Sequence, residues 1–303
     1  MTSFEVIVDD KLFNLVQNGS EKNNILSTIN DFEDGHWRYD YFNDYIFNNI
    51  GLTALSASER EKIPNYSQSQ LRKACNNLRL TDSQKDNGLG SEIAEILLYA
   101  IMKEHFNALP AVPKIYYKQN PNMYAFGADG VHIVLEENSF SIWYGEAKFY
   151  KEIDGEQLKT IANSVHNSLQ TAKIRKENSI ITDLRELDIE LGNDTRKEMI
   201  FSLLDSKTSV DKLKPHLHIP IMILYECDLT AKQTELSDGY KNELKQIQLE
   251  KSKTYFSIQD EMCKDISKYK DITFHLIYFP VPDKEKVVDI FTRNAKFYRE
   301  TVQ

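Results

Sequence analysis

The sequence predicts an α/β protein in which a mixed central sheet is flanked by helices. Two observations lead to this fold class. Apolar runs of strand length recur through the second two thirds of the chain, and amphipathic segments with helical spacing lie between them. In addition, 41% of the 303 residues are hydrophobic, which is ample for a large core.

Residues 1–80 predict a mostly helical N-terminal region after one strand-like run at residues 4–8. Tyr39, Phe42 and Ile46 recur at helical spacing, and "SASE" at residues 56–59 has the form of a helix-capping box. We interpret this region as a candidate for partner binding. Residues 81–303 are predicted to form the second domain, with an insertion of short helices at about residues 177–215.

The second domain is predicted to begin with a polar segment, "TDSQKDNGLG", and a helix from Ser91, "SEIAEILLYAIMKEHF". Five strands are predicted, in "KIYYKQ", "VHIVL", "FSIWY", "LHIPIMILYE" and "ITFHLIYFP". The turn "NPNMYAFGADG" precedes the second strand. Further helices are predicted over residues 155–176 and 240–269 and in "DKEKVVDIFTRNAKFY".

Several protein classes are disfavoured by the sequence. The first residues lack the pattern of a signal peptide, and no window approaches the roughly 20 apolar residues of a membrane span, so we expect a soluble, cytoplasmic protein. Cys75, Cys227 and Cys263 lie far apart and are predicted to be reduced core residues. The net charge of −9 disfavours tight nucleic-acid binding by the chain alone. The cations between Lys173 and Lys214 form either a basic face or ordinary solvated helix faces.

The hairpin "GADGVHIVLEENSFSIWYGEAKFY" carries charge where a buried strand should be apolar. Alternate strand residues share a face, so Glu146 and Lys148 continue the apolar row of Ile142 and Tyr144. An unpaired buried charge is costly. Asp129 stands at the start of the partner strand, and we expect it to meet Glu146 and Lys148 at one end of the sheet.

This cluster suits phosphodiester hydrolysis. Two carboxylates, Asp129 and Glu146, with a backbone carbonyl make a hard oxygen site for Mg²⁺ or Mn²⁺, which can lower the pKa of a water. Lys148 can orient that water and offset charge developing on the phosphate. Glu92, near the start of the preceding helix, is predicted as the auxiliary acid and a third metal ligand.

Simpler interpretations stay open for each residue. Lys148 could form a structural salt bridge with Asp129 or Glu146, and Glu92 could stabilise its helix N-terminus. Glu95 replaces Glu92 if the helix is rotated, although a surface position is its more common role. A second E-x-K, Glu243 with Lys245, lies in a polar helical segment and is expected to be an exposed helix face.

Other candidate residues give weaker signals. The G-x-G at residues 88–90 is expected to mark a helix start, and His216 and His218 are expected to be polar strand residues without a third metal ligand nearby. His132 should lie on the opposite sheet face from Val131. Gln157, Asn163 and His166, in the predicted helix over residues 155–176, are either surface positions or, as the family resemblance given below implies, residues that could reach DNA or a metal-bound water.

These residues resemble a known superfamily, the PD-(D/E)xK nucleases, whose helix acid, strand acid and strand E-x-K are matched by Glu92, Asp129, Glu146 and Lys148. "GSEIAEILLYAIM", "GADGVHI" and "WYGEAKFY" further resemble HamA, the nuclease component of Hachiman anti-phage defence systems. The resemblance runs from about residue 30 to the end.

The resemblance implies a restriction-endonuclease-like core and a Mg²⁺-dependent DNase that acts on DNA with a superfamily 2 helicase, HamB, and is held in check until infection or DNA damage. A helicase partner fits an acidic chain that has no P-loop motif of its own. Two alternatives remain: a catalytically weak regulatory subunit that binds a helicase, and a junction or repair nuclease outside defence.

Overall fold

The structure is a computed structural model that describes residues 3–15, 20–80, 90–118, 127–137, 139–184 and 186–300. Its strands are β1 (Glu5–Lys11), β2 (Asn23–Ile29), β3 (Phe32–Glu33), β4 (His36–Trp37), β5 (Leu109–Val112), β6 (Gly130–Leu135), β7 (Phe140–Tyr150), β8 (Leu217–Glu226) and β9 (Thr273–Val281).

The helices fall between these strands and close the chain. They are α1 (Leu12–Leu15), α2 (Tyr39–Asn49), α3 (Gly51–Ala54), α4 (Ala57–Arg60), α5 (Ile63–Asn76), α6 (Ser91–Phe106), α7 (Lys114–Lys118), α8 (Gly155–Ser168), α9 (Thr171–Asp183), α10 (Glu186–Leu191), α11 (Lys197–Leu204), α12 (Val210–Leu213), α13 (Asp228–Ala231), α14 (Asp238–Met262) and α15 (Lys284–Glu300). Short 3₁₀ turns cover Lys214–His216 and Tyr269–Asp271.

Seven strands form one mixed sheet in the order β1-β2-β9-β8-β7-β6-β5. The strands β2, β9, β8 and β7 are parallel to their neighbours in that series, whereas β1, β6 and β5 pair antiparallel at the two ends. The predicted mixed central sheet with flanking helices is therefore confirmed. The strands β3 and β4 make a separate small hairpin.

Helices cover both faces of the sheet, and β7 shows how its side chains divide between them. Trp143 and Ala147 belong to the core that includes α2, α6 and α15, whereas Ile142 and Tyr144 belong to the core that includes α8, α9 and α14. This alternation is the period of two that a strand imposes. Helix α6 packs directly across β7, so its first turns lie beside the end of that strand.

The N-terminal region agrees in part with expectation. Helix α2 carries the aromatic stripe, and Ser56 and Glu59 make the predicted capping box at α4. Strand β2 was not predicted, because the polar residues Ser27 and Thr28 obscure its apolar pattern although both are buried. Strands β1 and β2 belong to the central sheet. The proposed boundary at residue 80 stays a prediction.

The prediction of a strand in "KIYYKQ" is wrong. Its described residues form α7, and the strand of this region is β5, just before it. Tyr and Ile favour strands, but Pro113 precedes the segment, and Lys114, Tyr117 and Lys118 stand at helical spacing with inward polar contacts. These buried contacts stabilise the helix and outweigh the strand propensity of Tyr and Ile.

Two helix predictions needed correction. The predicted helix over residues 155–176 is two helices, α8 and α9, because Gln170 has extended backbone angles. The long charged helix α14 ends at Met262 rather than near residue 269. The predicted insertion does consist of short helices. Most of "TDSQKDNGLG" and "NPNMYAFGADG" lies outside the described residues.

All three cysteines are buried and free, as predicted. Among the described helices, each is too short or too polar to cross a bilayer.

Candidate active site

Asp129 is fixed beside β7 by backbone geometry. Its N–H donates to the Gly145 carbonyl over 2.7 Å, and its Oδ2 accepts the Ala147 N–H over 3.1 Å. Gly145 permits the close approach of α6, because a Cβ there would lie 2.7 Å from Leu98. The antiparallel β6–β7 pairing thus places the acid of one strand at the charged end of the next.

Glu146 and Lys148 point from β7 into the same cluster. The Lys148 Nζ lies 2.5 Å from Glu146 Oε1 and 3.4 Å from Asp129 Oδ2. Ser164, on α8, donates to the same Glu146 oxygen over 2.6 Å. The structure therefore brings together the three strand residues that the sequence singled out, and the predicted Lys148 salt bridges are present.

A second lysine and a helix acid extend the cluster. The Lys118 Nζ lies 2.9 and 2.8 Å from the two oxygens of Glu95 and 3.5 Å from Asp129 Oδ1. Glu95 is 5% exposed, so its expected surface position is wrong. The result is an alternating series of acids and ammonium groups: Glu95, Lys118, Asp129, Lys148, Glu146.

Glu92 is held elsewhere. Its two oxygens accept the backbone N–H groups of Arg79 and Leu80 over 2.8 and 3.0 Å. Three positions along a helix rotate a side chain by about 60° and displace it by most of a turn. Glu95 therefore reaches the cluster, whereas Glu92 anchors the segment that leads away from α5.

The cluster borders a cleft of about 310 Å³ that is open to solvent. Its lining combines charged and aromatic groups: Ser91, Glu95, Asp129, Ala147, Lys148, Phe149 and Tyr150. Lys148 is the most exposed member of the charged series, at 31% of its side chain. A phosphate entering the cleft would therefore meet the Lys148 ammonium.

Burial and mutual charge move the pKa values of the acids apart. Burial raises the pKa of Glu95 to about 7, against the nearby Lys118. Burial and Asp129 raise the pKa of Glu146, against Lys148 and the Ser164 hydroxyl. Asp129 is different: burial raises its pKa, but Lys118 and Lys148 outweigh it, so the net pKa is lowered. Asp129 is thus the most firmly ionised of the three acids.

Both lysines are held in the charged form. Burial lowers the pKa of Lys148, but Glu146 and Asp129 outweigh it and raise that pKa above its usual range. The pKa of Lys118 is likewise raised, because Glu95 and Asp129 outweigh burial. The two ammonium groups therefore act as fixed positive charges between the carboxylates.

The donor set suits a hard divalent cation, although the acids are not grouped around one point. Within the described ranges, no set of three or more His, Cys, Asp or Glu residues is arranged to hold a metal ion. The carboxylates of Glu95, Asp129 and Glu146 are instead separated by the ammonium groups of Lys118 and Lys148, which neutralise part of their charge. Carboxylate oxygens are the ligands that Mg²⁺ and Mn²⁺ prefer, so the chemistry of the residues fits these ions.

The loop before Asp129 is anchored from the insertion. Glu177, on α9, accepts the Ala128 N–H over 3.0 Å and binds Lys114 over 2.7 Å. A Cβ at Gly127 would overlap the Glu177 carboxylate. Glycine is therefore required there by close packing against an acid that supports the site.

The remaining predicted residues lie apart from the cluster. His216 Nδ1 contacts the Phe140 carbonyl, and His218 Nδ1 lies 3.0 Å from His275 Nε2. The His132 ring packs against Tyr99 of α6 at an interplanar angle of 55°, on the opposite sheet face as predicted. Among the post-motif residues, Gln157 caps α8, Asn163 is exposed and His166 faces Asp265.

Two residues of the cluster were not predicted. Lys118 gives no periodic signal, because it is one cation at the end of a short helix. Ser164 could have been found, since it borders the apolar stripe of α8 formed by Ile161 and Val165. A polar residue at that border is placed to contact the strand acid.

Three of the cations between Lys173 and Lys214 form ion pairs with acids. Arg196 pairs with Asp194, Lys197 with Asp188, and Lys214 with Asp211. For these three residues, the structure favours the interpretation as ion-paired helix surface over that as a basic face.

The family profile of HamA matches residues 2–295. The chain belongs to the HamA family. HamA membership indicates a component of a Hachiman defence system, and it accounts for nearly the whole chain, including β1, β2 and the insertion. A comparison with curated proteins found no match to this HamA-family chain.

Proposed function

We propose that this HamA-family chain is a metal-dependent DNA endonuclease with a restriction-endonuclease-like PD-(D/E)xK core. It acts as the effector of a Hachiman system, in concert with a partner helicase. The observation that carries the proposal is the convergence of Asp129, Glu146 and Lys148 with the helix acid Glu95 in one cluster, of which Glu95, Asp129 and Lys148 line an open cleft. A purely structural ion-pair network has no need of a cleft of that size.

The proposal assigns Asp129, Glu146 and Glu95 as the residues that would hold Mg²⁺ or Mn²⁺. Glu95 takes the role that the motif gave to Glu92, because Glu92 is bonded to the Arg79 and Leu80 backbone instead. When bound, the cation would polarise a phosphate oxygen and lower the pKa of a coordinated water molecule.

The chain's own residues would prepare the reaction in three ways. Lys148, the most exposed cation of the series, would bind the scissile phosphate and offset the charge that develops on it. Ser164 fixes the orientation of the Glu146 carboxylate beside Lys148 through its 2.6 Å hydrogen bond. Asp129, whose carboxylate accepts the Ala147 N–H, has a lowered pKa and stays ionised at a pH where Glu95 and Glu146, whose pKa values are raised, begin to take up protons.

DNA engagement is assigned to the helicase because the chain offers little positive surface. Its net charge is −9, and Arg196 and Lys197 of the insertion pair with Asp194 and Asp188. Non-specific DNA affinity requires several unpaired cations that replace condensed counterions. A helicase could supply that affinity and present a separated strand or junction to the cleft.

The test incubates supercoiled plasmid with the purified chain in Mg²⁺ or EDTA, alone and with the companion helicase and ATP. Wild type should cleave in Mg²⁺, and Lys148→Ala should lose cleavage by about 10²-fold or more. The proposal would be overturned if wild type and Lys148→Ala gave the same trace of cleavage both without and with the helicase and ATP.

A second candidate function is supported by the same ion pairs. Each lysine is already satisfied by acids, so the cluster can serve as a structural network in a regulatory subunit that binds a helicase. In that case Lys148→Ala would lower stability and helicase binding, and no preparation of the wild-type chain would cleave DNA.

A further inference from the structure

The Lys118 ammonium is surrounded by carboxylate oxygens, as a bound metal ion would be. Its Nζ lies 2.9 and 2.8 Å from the two Glu95 oxygens and 3.5 Å from Asp129 Oδ1. Its side chain is 16% exposed, less than that of Lys148. Two of the three acids proposed to hold the metal are therefore already occupied by one ammonium group.

Charge balance indicates what the exchange of cations would do. Three carboxylates and two ammonium groups leave the cluster with a net charge of −1. A divalent cation added beside both lysines would make it positive, whereas a divalent cation in place of one ammonium would make it neutral. Lys148 already binds Glu146, so Lys118 is the ammonium that stands between Glu95 and Asp129.

We propose that Lys118 is an internal competitor of the divalent cation. Its ammonium holds Glu95 and Asp129 in a resting state, and the cation binds these acids only when Lys118 has left them. This inference rests on the proposed function, since it concerns regulation of the same site.

The backbone that carries Lys118 is anchored on two sides. The Arg79 guanidinium donates to the Lys118 carbonyl over 2.6 Å. At the other end of α7, the fully buried Lys114 binds Glu177. The position of the Lys118 ammonium therefore depends on contacts made by the whole of α7, and not on the lysine side chain alone.

Tyr117 links α7 to more distant parts of the chain. Its hydroxyl donates to Glu186 Oε1 over 2.8 Å, and the other oxygen of Glu186 accepts the Ala57 N–H over 2.6 Å. Glu186 begins α10 in the insertion, and Ala57 begins α4 in the N-terminal region. Tyr117 is thus a positioning residue through which a shift of α10 or α4 would reach Lys118.

Binding of Mn²⁺ to the full-length chain tests the competition directly, measured by isothermal titration calorimetry at about pH 8. Lys118→Met removes the charge and keeps the length of the side chain. If the competent state is populated at about 1–10%, this variant should bind Mn²⁺ about 10- to 100-fold more tightly than wild type. Lys103→Met, at an exposed lysine of α6, is the matched control and should leave the affinity unchanged.

Further variants locate the effect. Adding Asp129→Asn to Lys118→Met should abolish the tightening, whereas Lys118→Arg should keep the weak wild-type affinity. Should Lys118→Met fail to fold by circular dichroism, Tyr117→Phe carries the test and should tighten Mn²⁺ binding in the same direction. Unchanged affinity in the folded variant overturns the inference.

Cleavage separates this inference from the proposed function. If Lys118→Met binds Mn²⁺ more tightly but neither it nor the wild type cuts DNA, the competition stands and the nuclease proposal fails. If wild type cuts DNA and Lys118→Met matches it in both Mn²⁺ affinity and rate, the nuclease stands and the competition fails.

Discussion

Lys114 and Glu177 form an ion pair at 2.7 Å in which the lysine side chain has no exposure to solvent. The second oxygen of Glu177 accepts the Ala128 N–H, one residue before Asp129. An acid at the start of the insertion is therefore connected to the loop that positions the proposed metal ligand. The Glu177 carboxylate therefore contributes both to the stability of the fold and to the position of Asp129.

Removal of Glu177 should be strongly destabilising. Glu177→Ala leaves the Lys114 ammonium buried without its partner, which we expect to cost about 3–5 kcal/mol of unfolding free energy. Urea unfolding measures the loss, and Glu198→Ala, at an exposed acid of α11, should change it by no more than about 0.5 kcal/mol. If the double variant Lys114→Met with Glu177→Leu is as unstable as Glu177→Ala, the uncompensated charge is not the cause.

Substitution of Glu95 should lower the cleavage rate, whereas substitution of Glu92 should lower the stability of the fold. Glu95→Gln removes a charge from the cluster and should lower the cleavage rate by about 10²-fold or more. Glu92→Gln weakens the bonds to the Arg79 and Leu80 N–H groups and should lower the unfolding free energy by about 1 kcal/mol. Plasmid cleavage and urea unfolding of both variants check this. Loss of cleavage in Glu92→Gln alone would return the catalytic role to the original prediction.

Acidic pH should destabilise the fold through buried histidines. His132 is 1% exposed, neither ring nitrogen has a hydrogen-bond partner within the described ranges, and burial lowers its pKa from 6.5 to about 3. Burial also lowers the pKa of His218 to about 4. The unfolded chain binds the proton first, so this stability is complete above pH 6.5 and is lost as the pH falls below it.

The loss should be about 1.4 kcal/mol per pH unit for each such histidine. His132→Leu should therefore show a flatter fall in unfolding free energy between about pH 7 and pH 5 than wild type. His36→Ala, at an exposed histidine, is the control and should keep the wild-type slope. Equal slopes in all three proteins would show that His132 titrates alike in the folded and unfolded states.

The residues of β7 could be predicted from sequence because a strand has only two faces. Once "FSIWYGEAKFY" was interpreted as a strand, Glu146 and Lys148 had to share a face with Tyr144, and the hairpin brought Asp129 to them. The buried strands β8 and β9 were predictable for a similar reason, since both are continuous apolar runs bounded by polar segments.

The helical members of the cluster were harder to predict. Helix α6 is buried on nearly all sides, so its apolar pattern does not fix which acid turns toward β7. Lys118 belongs to α7, whose composition favours a strand and whose helical state depends on Lys114 and Tyr117 bonding to Glu177 and Glu186. Those partners lie more than 60 residues away along the chain. Local pattern carries no information on such contacts.

We propose that the E-x-K at the end of β7 is required for DNA cleavage, and the chain contains its own control. Glu243 and Lys245 repeat the spacing on α14, where Glu243 is exposed. The most direct measurement compares loss of supercoiled plasmid in Mg²⁺, with the companion helicase and ATP, between Glu146→Gln and Glu243→Gln. We predict that Glu146→Gln loses cleavage by about 10²-fold or more while Glu243→Gln keeps the wild-type rate. Equal cleavage by folded preparations of both variants would contradict the assignment of this site.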